Sequence, residues 1–263
     1  NYTFRQNMIK FYSSLLLILF ALTSCSKSYK IKGVSSVSSL DGKMLFLKVA
    51  KEGKWVNVDS AEVVHGEFSM KGSVDSVQMV SLFMDDENIM PMVLEGGSIE
   101  INISNTKLTV KGTPLNDKLY SFVEKKASMD ARSEELGHKE AKMILDGVDP
   151  AEINVILTKE SDQLSNEMNS YVKSFIAENY ENVLGPGVFL MMCSNFPYPL
   201  MTPAMEDIVK NAPDSFKNNP LIKEYVSKAH DNMQSIQEHQ MMQQNEQQAA
   251  MISQKQPAAS IAH

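Results

Sequence analysis

The runs Lys43-Met-Leu-Phe-Leu-Lys-Val49 and Lys54-Trp-Val-Asn-Val-Asp59 alternate apolar and polar side chains, and the turn pair Glu52-Gly53 separates them. This pattern is typical of a β-hairpin with one buried face. Similar short runs recur roughly every ten residues, which predicts an antiparallel β domain over residues 29–112, built as a sandwich or an open barrel. Pro91 interrupts one run and predicts an edge or bulged strand, because proline has no N–H to donate to a ladder.

After residue 112 the apolar spacing changes to a helical period. Asp149-Pro150-Ala-Glu152 combines an N-cap, a first-position proline and a capping-box acid, so we expect a helix to start there. Thr202-Pro203 and Asn219-Pro220 predict two more helix starts by the same logic. The sequence therefore predicts a helical domain over residues 113–235 and an α+β fold class.

The composition fits a globular protein. Of 263 residues, 43% are hydrophobic, which is enough for a sizeable core. The formal net charge is −7, whereas nucleic-acid binders usually present a basic face, so we expect no nucleic-acid partner.

Two segments of the helical part stand out. Gly185-Pro186-Gly187 predicts a helix break. Residues 236–263 are rich in Gln, Met and Ala with little apolar periodicity, and we expect a disordered tail.

The first residues have the features of a targeting segment. Leu15 to Leu22 is an unbroken apolar run that follows Arg5 and Lys10. In a helix the run rises about 12 Å, far less than the roughly 30 Å of a bilayer core, so we interpret residues 1–24 as a signal peptide. Met8 is then a plausible start of translation.

The end of that run, Leu22-Thr-Ser-Cys25, resembles a bacterial lipobox. The resemblance implies cleavage before Cys25, a lipid on its sulfur and a tether over residues 25–28. Several acyl chains bind a bilayer stably. Ser26 departs from the aspartate that retains such proteins in the inner membrane, so we expect an outer-membrane lipoprotein that faces the periplasm. The alternative is ordinary secretion, in which Cys25 carries no lipid.

Four turn-forming segments follow one another in a recognisable order. They are Val58-Asp-Ser-Ala-Glu-Val63, His65-Gly-Glu-Phe68, Leu94-Glu-Gly-Gly-Ser-Ile-Glu100 and Val110-Lys-Gly-Thr-Pro-Leu-Asn116. The order resembles the DUF4369 domain of Bacteroidetes lipoproteins, usually the N-terminal part of periplasmic thiol-disulfide oxidoreductases. The resemblance covers roughly residues 29–235, is clearest over residues 29–120, and implies a β domain followed by helices. In those enzymes a thioredoxin fold with a Trp-Cys-x-x-Cys motif follows, and the present sequence contains no such motif.

The chain has two cysteines, Cys25 and Cys193. If Cys25 carries lipid, Cys193 has no partner for dithiol exchange. Cys193 follows the apolar run Phe189-Leu-Met-Met, which favours a buried and inert thiol. The alternative that stays open is a mixed disulfide between Cys193 and an external partner.

Metal sites are not predicted, because the five histidines lack zinc-like spacing. Asp85-Asp86-Glu87-Asn88 resembles a hairpin turn more than a calcium loop. The methionines are expected to fill the core, with Cu(I) binding as the minor alternative. The residues considered for copper are Met191 and Met192 with Cys193, the helical pair Met201 and Met205, and the pair Met241 and Met242.

Trp55 could stack on a sugar, but a tryptophan at an alternating strand position more often faces a core. No hydrolase or nucleotide-binding motif is present, and no cofactor or catalytic residue is predicted. Catalytic groups that are distant in sequence could still converge, so enzymatic activity stays open.

We therefore expect a lipid-anchored, non-catalytic module that binds an unknown envelope protein or a small ligand. The alternative function is an accessory partner of a separate thioredoxin-fold oxidoreductase.

Overall fold

The computed structural model of the chain describes residues 27–255. It divides into two compact units, of which the first ends at Lys125 and the second begins at Lys126. The first unit contains two four-stranded sheets, and the second is helical. The predicted α+β class is therefore confirmed.

The strands and helices follow one another along the chain, with a short 3-10 turn at Ser38–Leu40 between the first two strands. The strands are β1 (Lys27–Ser35), β2 (Met44–Lys51), β3 (Lys54–Glu62), β4 (Glu67–Val74), β5 (Gln78–Met84), β6 (Glu87–Leu94), β7 (Gly97–Ile103) and β8 (Leu108–Lys111). The helices are α1 (Pro114–Leu145), α2 (Pro150–Glu178), α3 (Leu184–Cys193), α4 (Pro203–Asn211), α5 (Asp214–Lys217) and α6 (Pro220–Lys255).

The two sheets have the strand orders β4-β1-β7-β8 and β3-β2-β5-β6. Every ladder is antiparallel except that of β1 with β7, which is parallel. A parallel pair needs a long crossover between its strands. Here the chain between β1 and β7 forms β4 and the whole of the second sheet, which provides that crossover.

Two predicted hairpin turns have the backbone that their sequence favours. Glu52 and Gly53 have φ values of 50° and 71°, and His65 and Gly66 have 54° and 75°. Two successive residues with positive φ are typical of a type I′ turn, whose twist matches that of the flanking strands. The predicted turn at Asp85 is also present, since Met84 and Glu87 are the last paired residues of the β5–β6 hairpin.

The core of the first unit is formed by alternate residues of β1, β2 and β7 and by consecutive buried residues of β5 and β6. Strand β2 buries Leu45, Leu47 and Val49 while the residues between them are more exposed. Met90 and Met92 of β6 are also buried, in agreement with the predicted core-filling role. Each fully buried aliphatic side chain of this kind contributes about 1.5–3 kcal/mol.

The open edge of β6 is covered by the side chain of Asn116, at the start of α1. The Val93 backbone N–H donates to Asn116 Oδ1 (2.8 Å), and Asn116 Nδ2 donates to the Val93 carbonyl (2.8 Å) and to Thr113 Oγ1 (2.8 Å). The Tyr120 hydroxyl donates to the Pro91 carbonyl at 3.0 Å. The Asn116 carboxamide thus takes the place of another strand, and Pro91 lies in an edge strand as predicted.

Glu95 fixes the beginning of α1 from the end of β6. Its Oε1 accepts the backbone N–H groups of Leu115 (2.9 Å) and Asn116 (3.3 Å). These are among the first N–H groups of the helix, which lack intrahelical acceptors, and a carboxylate there also opposes the positive end of the helix dipole. The first turns of α1 therefore belong to the β unit.

The predicted helix starts in the second unit are confirmed. The Asp149 carboxylate accepts the Ala151 N–H at 2.8 Å, and the Thr202 hydroxyl accepts the Met205 N–H at 3.3 Å. Asn219 Oδ1 likewise accepts the Leu221 N–H at 3.0 Å. Each cap satisfies a donor that the helix itself leaves free.

Two segments differ in detail from the sequence prediction. Gly185-Pro186-Gly187 lies inside the first turn of α3, where proline is tolerated, and the chain leaves helix before it, at residues 179–183. Helix α6 includes residues up to Lys255, and the remainder of the predicted 236–263 tail lies outside the described residues. Among the described helices, none combines the length and apolarity needed to cross a bilayer.

We predict that Asn116→Ala lowers the free energy of unfolding of the β unit by about 3 kcal/mol, because three hydrogen bonds are lost and buried Val93 groups stay unpaired. Urea unfolding followed by fluorescence measures this, since Trp55 is the only tryptophan and lies in this unit. The control is Asn102→Ala, an exposed position on β7, with an expected change below about 0.5 kcal/mol. Equal effects of the two substitutions would contradict the role of Asn116.

Candidate functional site

The outward face of the β3-β2-β5-β6 sheet gathers a group of aromatic and polar side chains around the exposed Trp55. Directly opposed residues of antiparallel strands share a face. Phe46 is opposite Phe83 of β5 and Ser60 of β3, while Lys48 and Ala50 are opposite Asn57 and Trp55. We define the Trp55 surface as Phe46, Lys48, Trp55, Asn57, Ser60 and Phe83.

Contacts between these side chains hold the surface in one arrangement. The rings of Trp55 and Phe83 meet edge-to-face, with centroids 4.9 Å apart and an interplanar angle of 61°. Lys48 Nζ lies 4.6 Å from the Phe83 centroid and 5.5 Å from that of Phe46, and it donates to the Asp85 carbonyl at 3.3 Å. Such aromatic and cation–π contacts contribute about 0.5–1.5 kcal/mol each. The surface thus presents a fixed indole beside a fixed ammonium group.

The alternating pattern favours a core position for Trp55, and this prediction is wrong. Its side chain is 50% exposed, whereas Phe83 beneath it is buried. The reason is that Trp55 lies on the outer face of β3, and β3 is the edge strand of its sheet. The sequence of β2 does indicate an aromatic residue on this outward face, because Phe46 lies between Leu45 and Leu47, which both face the core.

A β-bulge shapes the same strand. The pairing of β2 with β3 shifts between Leu47 and Lys48, and this shift leaves Val58 without a residue opposite it. Bulges bend a strand and change the direction of its side chains. Val56 and Val58 on this strand are 43% and 37% exposed. Strand β3 therefore exposes apolar side chains in addition to Trp55.

Cys193 lies at the end of α3 and is buried, as its apolar neighbours predict. Burial raises the pKa of its thiol from 9.0 to about 12, and a hydrogen bond with Tyr225 partly opposes that rise. The Tyr225 hydroxyl is itself held by Leu200, to whose carbonyl it donates at 2.9 Å and from whose N–H it accepts at 3.2 Å. The thiol is protonated at neutral pH and shielded, and a mixed-disulfide role for it stays a prediction.

The other residues considered for chemistry lie apart. Within residues 27–255, no three His, Cys, Asp or Glu side chains come close enough to form a metal-ligand group. Met201 and Met205 are buried, whereas Met241 and Met242 are exposed on α6. Cys25, the predicted lipid-attachment residue, lies outside the described residues.

Comparison with known proteins identifies a DUF4369 domain, described as a domain of unknown function, at residues 29–119. The predicted DUF4369 resemblance is therefore confirmed for this part of the chain. No curated protein matches the sequence. The Trp55 surface and Asn116 both lie inside the matched residues, whereas Cys193 lies outside them.

We predict that iodoacetamide at pH 8 alkylates Cys193 at least about 100-fold more slowly in the folded chain than in urea. A pKa of about 12 instead of 9.0 lowers the thiolate fraction roughly a thousandfold. Cys25→Ser removes the other thiol for this measurement, which mass spectrometry can follow. Between pH 9 and 12 the unfolded chain loses a proton that the folded chain keeps, so folding stability should fall as the pH rises there.

The control for that measurement is Tyr225→Phe. It removes the hydrogen bond that lowers the Cys193 pKa, so labelling of the folded chain should stay slow. Equal labelling rates in the folded and unfolded chains would show that the thiol is accessible.

Proposed function

We propose that this protein is a lipid-anchored protein of the cell envelope that acts as a non-catalytic interaction module, and that it binds its partner through the Trp55 surface. The observation that carries the proposal is the half-exposed indole of Trp55, packed against Phe83 beside the Lys48 ammonium. The partner is another envelope component, either a protein or a small ligand.

An exposed tryptophan held by its neighbours has the features of a binding residue. Tryptophan is among the residues that contribute most to binding energy in interfaces, because one side chain removes a large apolar area from water. The Phe83 contact restricts the ring before binding, so less conformational entropy is lost when a partner covers it. Lys48 and Asn57 add a cation and an amide beside the ring, which would orient polar groups of the partner.

The anchor is supported by the sequence. The apolar run Leu15–Leu22 leads directly into Leu22-Thr-Ser-Cys25, where we propose that the Cys25 sulfur carries a diacylglycerol and the new amino group an acyl chain. Such chains contribute about 0.8 kcal/mol per buried methylene, so the anchor would be stable. The outer membrane, facing the periplasm, is the proposed location.

For the alternative role, as an accessory of a thioredoxin-fold oxidoreductase, the described part of the chain supports non-covalent docking better than a mixed disulfide through Cys193. Cys193 is the only cysteine within residues 27–255, and it is buried. The exposed aromatic surface therefore supports the binding module better than a role in thiol exchange.

We predict that Trp55 becomes covered when the protein meets its partner. Because Trp55 is the only tryptophan, 5-fluorotryptophan labelling gives a single ¹⁹F NMR signal from this surface. Addition of unlabelled, detergent-solubilised envelope extract should shift or broaden that signal.

The matched control for this experiment is the double variant Trp55→Phe/Tyr198→Trp. It moves the label to the second unit, at a residue that is 49% exposed and so resembles Trp55 in accessibility. Its signal should stay unchanged. Equal changes at both positions, or no change at position 55, would contradict the proposed binding surface.

We also predict that Cys25→Ser abolishes metabolic incorporation of an alkyne-labelled palmitate into the protein, because it removes the sulfur that accepts lipid. In-gel fluorescence after coupling to a dye measures the label. Cys193→Ser is the matched control and should keep full labelling. Retention of the label by the Cys25 variant would exclude the proposed anchor.

A further inference from the structure

Strand β3 has an open backbone edge. It is the terminal strand in the order β3-β2-β5-β6, and no other described strand pairs with its outer side. In a hairpin with a two-residue turn, the residues that flank the turn bond to each other, here Lys51 and Lys54. The next residue, Trp55, and then Asn57 therefore direct their N–H and C=O groups away from β2, toward the open edge.

Farther along the same edge, Asp59 already makes contacts within the chain. Asp59 Oδ1 accepts the backbone N–H of Ser60 at 2.8 Å, and Asp59 Oδ2 accepts the Tyr29 hydroxyl at 2.7 Å. The part of β3 that remains open is therefore its beginning, from Lys54 to Val58.

This open part is also the part whose side chains are uncovered. Every residue from Lys54 to Val58 is exposed, so the described part of the chain covers neither face of the strand here. Val56 and Val58 lie here, at 43% and 37% exposure. An edge with free backbone groups and exposed apolar side chains is the arrangement that accepts an added strand.

The charges on β3 are complementary to the same strand running in the opposite direction. Lys54 is at its beginning, and Asp59 and Glu62 are toward its end. A parallel copy would place like charges together, whereas an antiparallel copy centred on Val56 places Lys54 of each strand opposite Val58 and next to Asp59 of the other. Antiparallel pairing about a two-fold axis is also the geometry in which one surface binds itself.

We propose that β3 pairs antiparallel with β3 of a second copy of this chain, and that the pairing joins the two β3-β2-β5-β6 sheets into one continuous sheet. The pairing goes beyond the proposed partner binding, because it uses the backbone edge of β3, whereas the partner binds the outward side chains. Each copy uses its open edge once, so the assembly closes as a dimer. The bulge at Val58 and the edge charges oppose indiscriminate pairing with other strands.

The test uses two detergent-solubilised full chains that carry different affinity tags and are produced in one cell. Isolation through one tag should recover the other copy, and light scattering corrected for bound detergent should give a dimer mass. Val56→Lys places two like charges near the centre of the antiparallel pair and should lower co-isolation at least tenfold. The control is Val34→Lys, an equally drastic change at a residue 53% exposed on β1 of the other sheet, which should leave co-isolation unchanged.

Charge exchange tests the direction of the strands. Lys54→Glu and Asp59→Lys should each weaken pairing between identical copies, and a mixture of the two should pair again, because residue 54 of each strand then meets the opposite charge at residue 59 of the other. Copies that merely share a micelle would stay together in every variant, which would overturn the proposal. A monomer mass for the unchanged chain would overturn it as well and would leave the edge to an extended segment of another protein.

Discussion

The β unit depends on the bond between the Asn116 carboxamide and the backbone of Val93. An edge strand leaves N–H and C=O groups without partners, and unpaired buried groups of this kind are costly. One side chain on the first turn of α1 supplies both a donor and an acceptor to Val93. In the other direction, the Glu95 carboxylate at the end of β6 caps the same helix turn. The sheet edge and the helix start therefore stabilise each other, and the end of the DUF4369 match at residue 119 falls just after this junction.

The two edge strands of the β3-β2-β5-β6 sheet differ in how far their backbone groups are bonded within the chain. The β6 edge contains Pro91, and two side chains of α1, Asn116 and Tyr120, cover it. The β3 edge has Lys54, Asp59 and Glu62, and no side chain within residues 27–248 covers its first residues. One edge is thus satisfied internally, and the other is left available. The Trp55 surface lies beside the available edge, so the features that favour association are concentrated on one side of the β unit.

Much of the local structure could be predicted from sequence, because it depends on neighbouring residues. The type I′ turns follow from Glu52-Gly53 and His65-Gly66, and the helix starts follow from Asp149, Thr202 and Asn219. The parallel pairing of β1 with β7 could not be predicted, since it depends on contacts between residues some 70 positions apart. The exposure of Trp55 was missed for a related reason: alternation tells which residues share a face, but the position of a strand in its sheet decides whether that face is covered.

The start of β1 at Lys27 has a consequence for the proposed anchor. If the lipid is on Cys25, a single residue separates the acylated position from the first residue of the strand, and such a linker spans no more than about 7 Å. The β unit would then be confined to a thin layer next to the bilayer. Confinement to a layer raises the effective concentration of neighbouring copies, in the same way that a short linker does between two binding modules. The open β3 edges of neighbouring copies would therefore meet more often on the membrane than in free solution.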